Sequence, residues 1–131
     1  MKKLVSLLAA LVLVAATAGV AGGARDAPPP FPRLQGNWSH IEINVKIKGA
    51  WHTLILDRGR IIVVTSSELT LRAPDGTKPT IPIGPQTLIT FGRGRGLGFR
   101  ARPLVIRRGL FAETMRIDGG PAVRVRLALL R

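Results

Sequence analysis

The stretch HIEINVKIKGAWHTLIL, residues 40–56, decides the fold class. Its first half alternates aliphatic with polar side chains, the aliphatic ones being Ile41, Ile43, Val45 and Ile47. A period of two over this length predicts a strand with one buried and one solvated face. Gly49 and Ala50 supply a turn, and residues 51–56 predict a second strand that returns beside the first. The folded part of the chain therefore begins with a β-hairpin.

The rest of the chain continues in short apolar runs separated by turn residues. Further strands are predicted over residues 60–65, 69–72, 80–83, 87–91, 110–117 and 122–130. Residues 57–59 (DRG) predict an interruption before the third strand, and Pro82 marks an edge strand. Residues 118–121 (DGGP) join the last two strands as a hairpin. The sequence thus predicts an all-β, single-domain fold, either a small OB-like β-barrel or a sandwich of about seven or eight short antiparallel strands.

The N-terminus has the layout of a secretory signal. Two lysines precede an apolar run over residues 4–14, and small residues follow it. We predict that residues 1–24 form a hydrophobic signal helix, which is either cleaved or retained as an anchor. Cleavage would follow one of three small residues: Ala18, Ala21 or Ala24.

A proline-rich stretch separates this signal from the predicted strands. Residues 25–36 contain three consecutive prolines and predict a semi-rigid tether, so that residues 37–131 form the β domain. The expected location is secreted, periplasmic or elsewhere in a bacterial cell envelope. We expect a monomer that contacts a membrane only through the signal segment, if that segment is uncleaved.

Charge and cysteine content limit the chemistry. The chain has a net charge of +13 and no cysteine, so it has neither disulfides nor thiolate chemistry. A basic surface favours an anionic partner, such as an envelope polymer or an anionic lipid, with a protein partner as the alternative. An export signal argues against nucleic acid. The candidate anion-binding residues are Arg93, Arg95, Arg100, Arg102, Arg107, Arg124 and Arg126.

The densest part of this set lies in GRGRGLGFRARP, residues 92–103. Four glycines and four arginines could indicate a phosphate-binding turn. The G-x-G-x-x-G spacing fails, however, because Leu97 and Phe99 stand where a glycine is needed. Pro103 also argues against a following helix. The stretch instead predicts a flexible loop whose arginines face solvent.

No catalytic set emerges from the sequence. His40 and His52 are the only histidines, and they could share a zinc ion with Glu42 if the hairpin placed them opposite each other. Two surface histidines are the simpler interpretation. Ser66 and Ser67 lie in a turn without a base or an orienting acid. We therefore predict a non-enzymatic module without metal or cofactor, with a binding or structural role, and polyanion binding as the sharper alternative.

One resemblance adds to this interpretation. The segments GRIIVVTSSELTLRAPDGT (59–77) and TIPIGPQTLI (80–89), followed by Gly109 and the DGGPA hairpin into VRVRL, resemble a family of exported bacterial β domains catalogued as domain-of-unknown-function family 5666. The resemblance covers about residues 58–127 and implies a compact OB-like barrel in the envelope with no assigned reaction. The hairpin over residues 38–56 and the basic glycine-arginine loop depart from the family scheme.

Overall fold

All regular structure in the described part of the chain is β-strand. The computed structural model describes residues 27–92, 99–101 and 106–128. Its strands are β1 His40–Ile47, β2 Ala50–Val64, β3 Glu68–Arg72, β4 Thr80–Pro82, β5 Leu88–Phe91, β6 Phe99–Ala101, β7 Phe111–Ile117 and β8 Ala122–Ala128. Over these residues, no helix is long and apolar enough to cross a membrane. The predicted all-β fold is confirmed, and the predicted signal helix over residues 1–24 falls outside the described residues.

The strands form one open sheet. Seven of them follow the order β4-β3-β2-β7-β8-β5-β6, and β1 pairs with β2 as an eighth. β7 occupies one edge of β2. β1 and β3 therefore share the other edge, with β1 beside residues 50–57 and β3 beside residues 60–64. β4 ends the path, in agreement with the edge position predicted from Pro82.

The course of β2 corrects the predicted interruption at residues 57–59. A single strand of 15 residues passes through this segment, where we expected two strands and a bend. Asp57 keeps a ladder partner on each side, His40 on β1 and Thr114 on β7. The register shifts only later, after Ile61. Because this segment is paired on both edges, it stays extended although its local composition favours a turn.

One pairing departs from the predicted antiparallel arrangement. β5 lies parallel to β8, with Leu88 opposite Arg124 and Phe91 opposite Leu127. The alternation of side chains in β5 predicts which of them are buried. It does not predict whether a strand much later in the chain pairs with β5 in the parallel or the antiparallel direction. The predicted hairpins β1–β2 and β7–β8 are confirmed, and β3 and β4 also pair antiparallel.

The larger hydrophobic core lies on the face of the sheet that carries Ile61. Its buried members are Ile61, Leu69, Leu71, Ile81, Ile89, Ile106, Ala112, Ala122, Val125 and Leu127. Ile81 belongs to β4 and Ile89 to β5, which stand far apart in the strand order. Strands that are far apart in the strand order thus contribute to one buried cluster.

A smaller core lies on the opposite face, around Leu54, Leu56 and Met115. Alternate residues of β1 cover part of it, and the N-terminal segment, residues 27–38, covers more. Three side chains of that segment pack against the cluster: Phe31, Leu34 and Trp38. The described part of the predicted tether thus lies against the sheet, and its role as a spacer after a signal stays a prediction.

Candidate anion-binding surface

Four exposed arginines surround the second half of β2. Arg60 on β2 lies directly opposite Arg72 on β3, and both side chains are exposed. Arg107 and Arg108 are exposed in the turn before β7. Two backbone hydrogen bonds of 2.8 Å hold this turn against Ile61, the residue after Arg60. We name these four residues the arginine surface.

Four of the six described carboxylates form ion pairs with cations outside the arginine surface. Their ion pairs are Asp57 with His40 and Arg116, Glu42 with His40, Glu113 with Arg126, and Asp118 with His52. No member of the arginine surface forms an ion pair or a side-chain hydrogen bond with another described residue. The arginine surface is therefore a concentration of positive charge without a described counter-ion.

The geometry of the Arg60–Arg72 pair suits an anion. Directly opposed residues of an antiparallel pair have Cβ atoms about 5 Å apart, and like charges in these positions destabilise the sheet. A guanidinium group donates two parallel hydrogen bonds to a phosphate or carboxylate. An anion between the two side chains would accept from both and remove their repulsion. The pair of arginines can therefore bind a phosphate or carboxylate group.

The seven arginines predicted from the sequence fall into four groups. Arg93, Arg95 and Arg102 lie outside the described residues. Arg100 is described only as a backbone position of β6. Arg107 belongs to the arginine surface, while the remaining two lie on β8.

Those two, Arg124 and Arg126, contact the N-terminal segment. The Arg124 guanidinium donates to the carbonyl oxygens of Pro28 and Pro29 at 2.8 and 3.2 Å. Arg126 lies over the ring of Phe31, 4.9 Å from its centroid. Both arginines therefore help to fix this segment on the sheet, and their predicted role in anion binding stays a prediction.

A buried carboxylate lies on the other face of β2. Asp57 is 2% exposed, and its Oδ1 accepts from His40 Nδ1 at 2.7 Å. Its Oδ2 has no hydrogen-bond partner and lies 3.6 Å from the Arg116 guanidinium. The hydrogen bond to Asp57 raises the pKa of His40 against an opposing effect of burial, and Glu42 beside Nε2 raises it further. Because Nε2 faces a carboxylate and not a hydroxyl, this pair has no nucleophile to activate.

The hairpin does not place the two histidines opposite each other, as a zinc ion shared by them would require. His40 stands opposite Asp57, whereas His52 stands opposite Val45, five positions further along β1. At about 3.4 Å per residue, the two are separated by roughly 17 Å along the strand. Among the described residues, no group of three His, Asp or Glu side chains could hold a metal ion.

Arg60 and Arg72 were not singled out from the sequence. Each was visible as a charged residue at the end of a predicted strand, but their direct opposition depends on the register of β2 against β3. A search for like charges on strands predicted to pair would have identified them as a candidate pair.

Comparison with known proteins identifies no relative. No family model matches the chain, and neither a curated protein nor a solved structure matches it. The resemblance to domain-of-unknown-function family 5666 over about residues 58–127 stays a prediction.

Proposed function

We propose that this protein is an exported, non-enzymatic β domain that binds an anionic polymer of the bacterial cell envelope through its arginine surface. The observation that carries the proposal is the exposed pair of Arg60 and Arg72, directly opposite each other without an acid between them. Such a pair lowers the stability of the free protein, and a bound polyanion would convert the repulsion into attraction. The net charge of +13 and the signal-like N-terminus support the same partner and location.

The proposal includes the OB-like barrel expected from the sequence. β4 and β5 contribute Ile81 and Ile89 to one buried cluster, which supports a sheet rolled towards closure. The arginine surface would then lie on the outside of the barrel, beside the point where the neighbour of β2 changes.

The proposal includes no catalytic reaction because of what the two histidines contact. His40 and His52 each donate through Nδ1 to a carboxylate. Among the described residues, neither second ring nitrogen is bonded to a hydroxyl that could serve as a nucleophile. The proposal is therefore a binding role, and a purely structural role is what remains if no polyanion binds.

The test compares two pairs of substitutions that remove the same charge. Arg60→Gln with Arg72→Gln changes the arginine surface, whereas Arg33→Gln with Lys46→Gln changes two exposed cations elsewhere. The probes are polyphosphate and a glycerol-phosphate polymer, with binding measured by titration calorimetry. We expect the first pair to weaken binding by about tenfold and the second pair by less than about threefold.

Two further probes separate this partner from the alternatives. Single-stranded DNA or vesicles containing anionic lipid, bound more tightly than both polymers, would contradict the envelope-polymer assignment. Equal losses from the two pairs of substitutions would show that net charge, and not the arginine surface, is responsible. Export is tested by cell fractionation, and recovery in the cytoplasm with residues 1–24 intact would contradict it.

A further inference from the structure

The outer edge of β1 has no neighbour among the described residues. β1 pairs with β2 along one edge, and no described residue forms a backbone hydrogen bond with the other edge. The strand is eight residues long, contains neither proline nor glycine, and keeps one register with β2 throughout. Such an edge presents a row of backbone donors and acceptors that can pair with another chain.

The pairing with β2 determines which backbone groups of β1 lie on this edge. Arg58 N donates to Ser39 O at 3.0 Å, so the backbone of residue 39 points towards β2. In an antiparallel ladder, successive residues point alternately towards and away from the partner strand. The odd-numbered residues of β1 therefore point towards β2. The backbone groups that point away belong to four residues: His40, Glu42, Asn44 and Lys46.

The two faces of β1 differ in polarity. The side chains of the same four residues are exposed, while those of the alternate residues are half-buried. The half-buried side chains pack against the smaller core and are all aliphatic: Ile41, Ile43, Val45 and Ile47. A strand added to the edge would cover part of the apolar surface that these side chains still expose.

We propose that the outer edge of β1 pairs with the same edge of a second copy of this chain, about a two-fold axis at Asn44. A two-fold axis at the edge of a sheet makes the two strands antiparallel and the contact self-complementary. With the axis at Asn44, Glu42 of each copy stands opposite Lys46 of the other. Each dimer then contains this pair of opposite charges twice.

Both members of this pair can take part in it. Lys46 forms no ion pair with another described residue. Glu42 is exposed, and only its Oε1 faces His40, at 3.3 Å. Its second oxygen is left for the ammonium group of the other copy. Opposite charges directly across an antiparallel pair stabilise it.

The side chains also select this register over its neighbour. With the axis at Ile43, Lys46 would stand opposite His40, which places two basic side chains together. With the axis at Asn44, the apolar face also matches, because aliphatic residues oppose one another: Ile41 with Ile47, and Ile43 with Val45.

The inference does not rest on the proposed polymer binding. β1 lies beside residues 50–57 of β2, whereas the arginine surface surrounds the second half of that strand. One strand from each copy is a small interface, so we expect a dissociation constant on the order of 10 µM. At about 1 µM the chain would be the monomer expected from the sequence, and there the Lys46 substitution used as a control for polymer binding changes charge alone.

Sedimentation equilibrium of the purified protein and of charge variants tests the register. Glu42→Lys alone and Lys46→Glu alone each place like charges opposite each other twice, so we expect at least about tenfold weaker self-association. The variant with both substitutions keeps the net charge of the wild type and restores the opposed charges, so its dissociation constant should lie within about threefold of the wild type. An equimolar mixture of the two single variants should form mixed dimers, because every pair again joins a lysine to a glutamate.

A second pair of variants tests the backbone contact. Asn44→Pro removes the central N–H, and proline is tolerated where that group does not serve the protein's own sheet. Asn44→Thr keeps the N–H and is the matched control, because both variants lose the side-chain oxygen that accepts from Thr53. We expect Asn44→Pro to weaken self-association at least about tenfold relative to Asn44→Thr. Thermal unfolding shows whether each variant is folded.

Defined results would overturn the inference. A protein that stays monomeric up to about 500 µM would remove the interface. Equal self-association of folded Asn44→Pro and Asn44→Thr, or no recovery in the variant with both charge substitutions, would place the contact elsewhere. The variant with Arg60→Gln and Arg72→Gln should self-associate like the wild type, whether or not the arginine surface binds a polymer, and a weaker association would contradict the assignment to β1.

Discussion

Arg60 stands where another residue would make the free protein more stable, because it faces the like charge of Arg72 across the sheet. Residues that lower stability without an evident structural gain are expected at functional sites. The sequence analysis did not single out this pair, because its members stand opposite each other only in the register of β2 against β3.

At the residue scale, His40 is expected to make the free energy of unfolding depend on pH. Its hydrogen bond to Asp57 raises its pKa above the ordinary value of 6.5. The protonated imidazole is therefore favoured in the folded state. The resulting stability is fully present below about pH 6.5 and is lost as the pH rises through the higher folded pKa. The effect should be about 0.5 kcal/mol, because the His40 side chain is 47% exposed and solvent screens its charge.

Urea unfolding of the wild type and of His40→Gln, at several values between about pH 5 and pH 9, measures this effect. We expect the difference in the free energy of unfolding to be largest at the acidic end and to shrink towards the alkaline end. A difference that grows as the pH rises would contradict the assigned role of the His40–Asp57 contact.

At the scale of elements, β2 determines how the sheet is arranged. It pairs with β7 along one edge and passes from β1 to β3 along the other. The existence and approximate bounds of most strands could be predicted from alternation and turn residues. The continuity of β2 and the parallel pairing of β5 with β8 could not, because both depend on contacts between segments that are distant in sequence.

The change of neighbour along β2 requires a glycine at position 59. A Cβ added to Gly59 would lie 2.4 Å from the carbonyl oxygen of Arg72, which is backbone and cannot swing away. We expect Gly59→Ala to lower the free energy of unfolding by at least about 2 kcal/mol, because β3 must move from the edge of β2. Chemical denaturation measures the change.

Gly84→Ala is the matched control for this substitution. Its added Cβ meets nothing within 4 Å, so we expect a change within about 0.5 kcal/mol. Equal effects of the two substitutions would show that the close approach of β3 at Gly59 does not limit stability.

At the scale of the whole molecule, the described arginines differ in what surrounds them. The net charge predicted an anionic partner, and Arg107 was among the residues named for it. The sequence could not predict that Arg124 and Arg126 would be occupied by the N-terminal segment, because contacts to Pro28 and Phe31 arise only when that segment lies on the sheet. Composition thus indicated the kind of partner, while the fold determined which arginines are available to it.

The most direct test of polymer binding is its dependence on salt. The logarithm of the affinity for polyphosphate should fall linearly with the logarithm of the salt concentration, with a slope set by the number of ionic contacts. Removing Arg60 and Arg72 should make that slope shallower by about 1.5, whereas removing Arg33 and Lys46 should leave it unchanged. Parallel lines for the wild type and the variant with Arg60→Gln and Arg72→Gln, or an affinity that does not change with salt, would contradict the account.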